Sequence, residues 1–153
     1  IKPALKEENI ESVIDDVLGE VLPEILSKNI LIEKKYAKNG FKIMIDKIMI
    51  MRALKAVFDN AVEAMSSIAG DGKTLSVDAG YDNITNEFVI TVKDTGCGIP
   101  ADDLGKVMRP YFSKKPDRQG LGLFYANKVM KLHGGSIFIE SAKGTTVKLH
   151  FKV

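Results

Sequence analysis

Two stretches of strict alternation constrain this chain more than anything else in it. Leu75, Val77, Ala79 and Tyr81 fall on every second residue, and so do Phe88, Ile90 and Val92. Period-two patterning buries one face of a strand and leaves the other wet. The two runs therefore predict a half-buried hairpin with its loop around residues 82–86. Val147, Leu149, Phe151 and Val153 alternate in the same way and follow the apolar residues 137–139, which predicts a closing hairpin. A sheet with one apolar face needs a cover, and the rest of the chain carries helical periodicity that can supply it.

Ile10, Val13, Ile14, Val17, Leu18 and Val21 form one helical stripe behind Asn9, which suits an N-cap. Glu11, Asp15 and Asp16 load the first turns with charge that favours the helix dipole. Pro23 marks a kink. Residues 30–36 and 41–45 read as two short strands around an Asn39-Gly40 turn. Asp46 can cap a long helix reaching about Ile68, with Ile50, Leu54, Val57, Ala61 and Met65 as its buried stripe. Asn60 sits on the shoulder of that stripe, flanked on the wheel by Ala53, Ala56, Val57 and Ala64, so one flank is cleared of bulk around a polar amide. Residues 100–108 read as a short helix, 110–122 as a mobile loop rich in Lys, Arg, Pro and Gly, and 123–133 as a helix stopped by Gly134-Gly135. Hairpins mixed with helices predict an α+β fold, one mainly antiparallel sheet with helices on one face, forming a single domain over residues 1–153.

Composition removes several function classes. The 22 basic and 20 acidic side chains leave a net charge of +2, too weak and too mixed for a nucleic-acid or membrane surface. One Cys and two His allow neither an internal disulfide nor a zinc constellation. No apolar run approaches the roughly 20 residues of a membrane span, and no signal-peptide layout opens the sequence. A cytoplasmic domain is the expectation.

Four segments can carry chemistry. In Phe58-Asp59-Asn60-Ala61-Val62-Glu63-Ala64-Met65, the Asn60 amide oxygen suits a hard cation already bridging phosphates, or it is a helix-surface polar group. In Asp94-Thr95-Gly96-Cys97-Gly98-Ile99-Pro100, an Asp at a strand end can accept from an exocyclic amine, and Gly96 and Gly98 let backbone approach a flat ring. Alternatively that Asp bonds its own loop amides. Gly120-Leu121-Gly122-Leu123 opens a helix whose free amides can face phosphate oxygens. It is neither a dinucleotide fingerprint nor a P-loop, since no strand precedes it and no Gly-Lys-Ser/Thr is present. Pro110-Tyr111-Phe112-Ser113-Lys114-Lys115 puts two aromatics beside two lysines, either a loop docked on the core or a hinged lid with a lysine for a terminal phosphate.

In order and spacing these segments resemble the N box, first glycine box, F box and second glycine box of sensor histidine kinases. The resemblance covers almost the whole chain and is to their catalytic, ATP-binding domain, in the GHKL superfamily with gyrase B, heat-shock chaperone and mismatch-repair ATPases. It implies a two-layer α/β sandwich, the Bergerat fold, with ATP between the N-box helix, the glycine loops and the lid. By the same resemblance Asn60 holds Mg2+, with Ala64 on the same helix lining the pocket. Asp94 binds the adenine amine, while Gly96, Gly98 and Ile99 line the base. Tyr111 and Phe112 anchor the lid, and Lys115 approaches the γ-phosphate. Gly120, Leu121, Gly122 and Leu123 present backbone to the phosphates. Thr145 resembles a superfamily threonine that meets adenine through water.

The departures from that pattern are specific. Arg118 stands where a third glycine is common, and can itself reach phosphate. Ala56 occupies the position, one turn before Asn60, at which the superfamily's hydrolases carry a water-activating glutamate, and this argues against efficient hydrolysis. Glu63 replaces a basic residue that many kinases turn toward phosphate. His133 and His150 lack the acidic neighbour of a phospho-acceptor box. His133 suits a helix-end partner, and His150, alternating with Leu149 and Phe151, is expected to face outward. Cys97 reads as a small spacer between glycines.

The implied activity is transfer of the γ-phosphate of Mg-ATP to a histidine on a separate dimerisation domain, expected N-terminal to this chain. A response regulator is the implied next acceptor, with no nucleic acid and no direct membrane contact. A nucleotide-driven ATPase module, a serine kinase of the anti-sigma-factor type and a non-catalytic nucleotide sensor are the alternatives.

Overall fold

The computed structural model describes residues 2–37, 40–109 and 122–153. Its elements run β1 (Lys6–Asn9), α1 (Ile10–Ser27), β2 (Leu31–Tyr36), β3 (Lys42–Ile45), α2 (Lys47–Ser66), β4 (Thr74–Asp82), β5 (Glu87–Asp94), α3 (Gly122–Leu132), β6 (Ser136–Ala142) and β7 (Gly144–Lys152). The main sheet has the order β2-β4-β5-β7-β6, parallel only between β2 and β4. This is the expected mixed, mainly antiparallel sheet in an α+β sandwich.

Register explains the core. Val77, Val92 and Val147 stand side by side across three strands, and the next row is Ala79, Ile90, Leu149 and Ile137. All seven are buried. The helices cover this face: α2 packs on β5, α3 on β6 and β7, and α1 and α3 on either side of α2. The caps form as the sequence predicts. Asn9 Oδ1 accepts from the Ser12 amide at 3.0 Å, and Asp46 Oδ1 from the Met49 amide at 3.2 Å. Every residue of the predicted α2 stripe is buried.

One strand was not anticipated, one expected helix is shorter, and several residues have partners that the sequence does not show. β1 was not visible in Lys-Glu-Glu-Asn, a stretch without apolar alternation; it pairs antiparallel with β3 as a separate two-stranded sheet. Glu11 stands in the first turn of α1, as expected. It is buried, and its Oε1 accepts from the Phe41 amide at 3.1 Å. Pro23 lies inside α1, and the helix continues to Ser27. The helix expected over 100–108 is only a 3-10 turn at Ala101–Asp103, with the following residues in non-helical turns. His150 lies on the face opposite Leu149 and Phe151, as expected; there its Nδ1 is 3.1 Å from Glu87 Oε1, and Phe138 packs edge-on against its ring.

Two glycines are fixed by close approach. A Cβ on Gly135 would collide with the His150 carbonyl oxygen, and one on Gly144 with that of Asp94. Gly144 also sits at φ 89°, where a side chain is strained. Among the described residues no helix is long and apolar enough to cross a membrane.

Candidate functional site

Asp94 continues the inward series Phe88, Ile90, Val92 and is the last residue of β5. Alternation thus delivers a carboxylate, at 3% exposure, to the helix-facing side of the sheet. Its Oδ1 accepts from the Gly96 amide at 2.8 Å and from the Thr145 amide at 3.2 Å. Among the described residues both bonds use that one oxygen, so Oδ2 is left for an incoming N–H. Burial pushes the Asp94 carboxyl above its ordinary range, and the two amide bonds pull back only part of that shift. One oxygen of Asp94 thus organises its own loop, as one of the two sequence readings has it, and among the described residues the other oxygen has no hydrogen bond.

The loop after Asp94 lies against α2. A Cβ on Gly96 would stand 2.8 Å from the Ala64 backbone and methyl, and the Cys97 amide points at the Ala64 carbonyl at 3.4 Å. Gly98 adopts φ 74°, with its missing Cβ 2.9 Å from Ser141 Oγ. These glycines are thus required by the protein's own packing, before any ligand is considered. The Ile99 amide donates to Ser141 Oγ at 2.6 Å. Cys97 is exposed, in keeping with a spacer.

At the other end of the same stripe of α2, Gly122 opens α3. A Cβ there would be 3.6 Å from the Ala56 methyl. Ala56, Asn60 and Ala64 follow at i, i+4 and i+8 and so share one face, roughly 12 Å long at the helical rise. Asn60 stands midway, half-buried, between the Asp94 loop and the start of α3. Among the described residues no hydrogen bond engages its side chain, so its amide oxygen is a free neutral donor to a hard cation. Asn60 would thus suit a hard cation such as Mg2+ as a neutral oxygen ligand.

Leu123 is packed into the core. Thr145 is buried, and its backbone amide donates to Asp94 Oδ1. Tyr111, Phe112, Lys115, Arg118, Gly120 and Leu121 lie outside the described residues. Two groups were missed: Ser141, and Thr95, whose hydroxyl accepts from the Thr74 amide at 3.0 Å and so ties the Asp94 loop to the start of β4. Neither carries a periodic signal that could have revealed it.

A family model described as histidine kinase-, DNA gyrase B- and HSP90-like ATPase matches residues 45–153. The chain belongs to this family. The sensor histidine kinase ZraS of Salmonella typhimurium is 31% identical over 147 residues, covering 94% of this chain and 30% of that protein. Sporulation kinase A of Bacillus subtilis is 30% identical over 145 residues, covering 94% and 23%. The chain spans less than a third of the length of these curated relatives. Among solved structures, the catalytic domain of the histidine kinase ThkA superposes with a TM-score of 0.86 at 23% identity, covering 97% of this chain and 95% of that one. ThkA in complex with the response regulator protein TrrA superposes at 0.81 and 20% identity, covering 97% and 42%.

Proposed function

We propose that this domain binds Mg-ATP and presents the γ-phosphate to a histidine on a separate dimerisation domain, with a response regulator as the next acceptor. The observation that carries the reading is the face Ala56–Asn60–Ala64. It has the loop of the buried Asp94 carboxylate at one end, the start of α3 at the other and the half-buried Asn60 amide between them. An adenine, a bridged phosphate group and a terminal phosphate have the same order along a nucleotide. The likeness to a kinase domain solved with a response regulator supports the choice of partner.

The chain's own groups divide the work. Asp94 Oδ2 accepts from the adenine amine, and the Gly96 and Thr145 amides keep that carboxylate turned toward it. Asn60 holds the metal through its amide oxygen. Mg2+, when bound, neutralises the charge that spreads over the transferring phosphoryl oxygens. Amides at the start of α3, with Gly120 and Leu121 before it, face the phosphates. Lys115 approaches the γ-phosphate and Arg118 is a second cation for it, while Tyr111 and Phe112 anchor the segment that carries them. Catalysis rests on positioning and electrostatics, with no covalent intermediate on this domain. Ala56 favours transfer over hydrolysis: its methyl, close to Gly122, can neither accept a proton nor orient a water.

The test is a calorimetric titration with ATP, ADP and GTP, with and without Mg2+, followed by transfer to a supplied histidine-bearing dimerisation domain. ATP and ADP are expected to bind comparably and GTP poorly. Acid-labile phosphate should appear on the supplied domain and not on this chain. Equal binding of GTP and ATP, or steady ATP hydrolysis without transfer, would overturn the reading.

A further inference from the structure

The loop that reads the base in the proposed function has few backbone partners. Between Thr95 and Pro100 the chain is in no helix or strand. Near its start it is held by Asp94 Oδ1 on the Gly96 amide, by Thr95 on Thr74 and by the long bond from Cys97 to Ala64. Its far end is tied by Ser141, the next-to-last residue of β6, paired with Thr145 of β7. Ser141 Oγ accepts from the Ile99 amide at 2.6 Å and donates to the Gly144 carbonyl at 3.0 Å. A hydroxyl has one proton, and an amide N–H cannot accept it. The proton therefore points at Gly144, and a lone pair at Ile99. Gly144 leads directly to Thr145, whose amide holds Asp94 Oδ1. One serine thus links the carboxylate's anchor to the opposite end of the same loop. Gly98, pressed against this hydroxyl, leaves no space for slack.

We infer that Ser141 is a positioning residue for adenine: its hydroxyl fixes the Gly98-Ile99 backbone relative to the Asp94 carboxylate and so sets the fidelity of base recognition. This rests on the nucleotide reading above and names a determinant of specificity in that site. Among the described residues the Ser141 hydroxyl bonds only to Ile99 and Gly144, so in the proposed function the phosphate and metal contacts do not run through it.

The experiment compares ATP with purine riboside triphosphate, which lacks only the 6-amino group, on wild type, Ser141→Ala and Ser141→Thr. Wild type should prefer ATP. In Ser141→Ala the preference should shrink roughly three- to tenfold, the worth of one neutral hydrogen bond. The maximal transfer rate at saturating ATP should hold while KM rises. Ser141→Thr, which keeps the hydroxyl, should restore most of the preference. An unchanged preference in Ser141→Ala overturns the inference. So does equal weakening of both nucleotides with a lowered melting midpoint, since that describes a merely structural serine. Failure of wild type to bind ATP at all would overturn the nucleotide reading itself, an outcome distinct from either of these.

Discussion

The backbone amide of Asp46 donates to His133 Nε2 at 3.0 Å, across 87 residues of sequence. The other ring nitrogen lies 2.8 Å from the Val129 carbonyl, one turn back on α3. An amide must donate and a carbonyl must accept, so the ring is the neutral Nδ1–H tautomer. The imidazole joins the entry of α2 to the exit of α3, while Gly122, at the start of α3, lies near Ala56 in the middle of α2. The two helices that flank the proposed phosphate site are thereby tied at the entry of α2 and the exit of α3.

The clamp has a measurable stability. His133→Ala strips a partner from the Asp46 amide and from the Val129 carbonyl, and should cost about 1–3 kcal/mol. Thermal unfolding should show a midpoint lower by several degrees, and an unchanged midpoint would show the bonds to be idle. Asp46 adds an acid limit. The amides of Ala4 and Met49 hold its carboxyl below the ordinary range. A lowered native value stabilises the fold above the unfolded carboxylate range, and the contribution is lost as pH falls through the native value. Asp46→Ala should flatten that part of the acid-unfolding curve.

Asp94 has the opposite sign. Its carboxyl is raised chiefly by burial, so ionisation costs stability at neutral pH, and the cost vanishes as pH falls below the unfolded range. Asp94→Asn can keep both amide bonds through its own oxygen and lose the buried charge. The variant should melt no lower than wild type at pH 7. ATP affinity should nevertheless fall tenfold to a hundredfold, since a hydrogen bond to a charged group is worth roughly 1.5–3 kcal/mol. Wild-type ATP affinity should also weaken on acidification before ordinary surface carboxylates titrate. A midpoint well below wild type would mean that the charge itself holds the loop.

Asn60→Ala isolates the metal. The side chain makes no hydrogen bond among the described residues, so its loss should hardly move the melting midpoint. Affinity for ATP without Mg2+ should also stay near wild type, while the gain on adding Mg2+ should disappear. A full magnesium response in the variant would move the ligand elsewhere, to Asp59 or Glu63.

What could be read before the structure, and what could not, follows from where each signal lives. Asp94 was legible because it extends an alternating strand by one more inward position, and Asn60 because alanines clear its flank of the helix. β1 was not legible because its pairing with β3 is made by backbone atoms that every residue carries. Glu11 is legible as a first-turn charge, but its burial and its bond from the Phe41 amide come from tertiary packing. Gly96 and Gly98 signalled a close approach correctly, yet the approaching groups are Ala64 and Ser141. Ser141 itself is a lone hydroxyl near the end of β6, whose importance arises from the fold bringing residue 99 to it.

Lys115 separates a kinase from a passive nucleotide binder. Residues 114, 115 and 118 place three cations shortly before Gly120 and Gly122, which face the phosphates in the proposed function. A cation beside a γ-phosphate gains most as charge redistributes in the transition state, so its loss should register in rate more than in binding. Lys115→Ala should therefore slow transfer to a supplied histidine domain by at least about tenfold, or ~1.4 kcal/mol. ADP lacks the phosphate concerned, and its affinity should change far less. Tyr111→Ala and Phe112→Ala should behave differently and weaken ATP retention, because an unanchored segment must be ordered again with each nucleotide bound. The decisive comparison is transfer rate against ADP affinity in wild type and Lys115→Ala. Equal losses in both would reduce Lys115 to a general electrostatic contact, and no loss in either would give the γ-phosphate to Arg118 or to another domain.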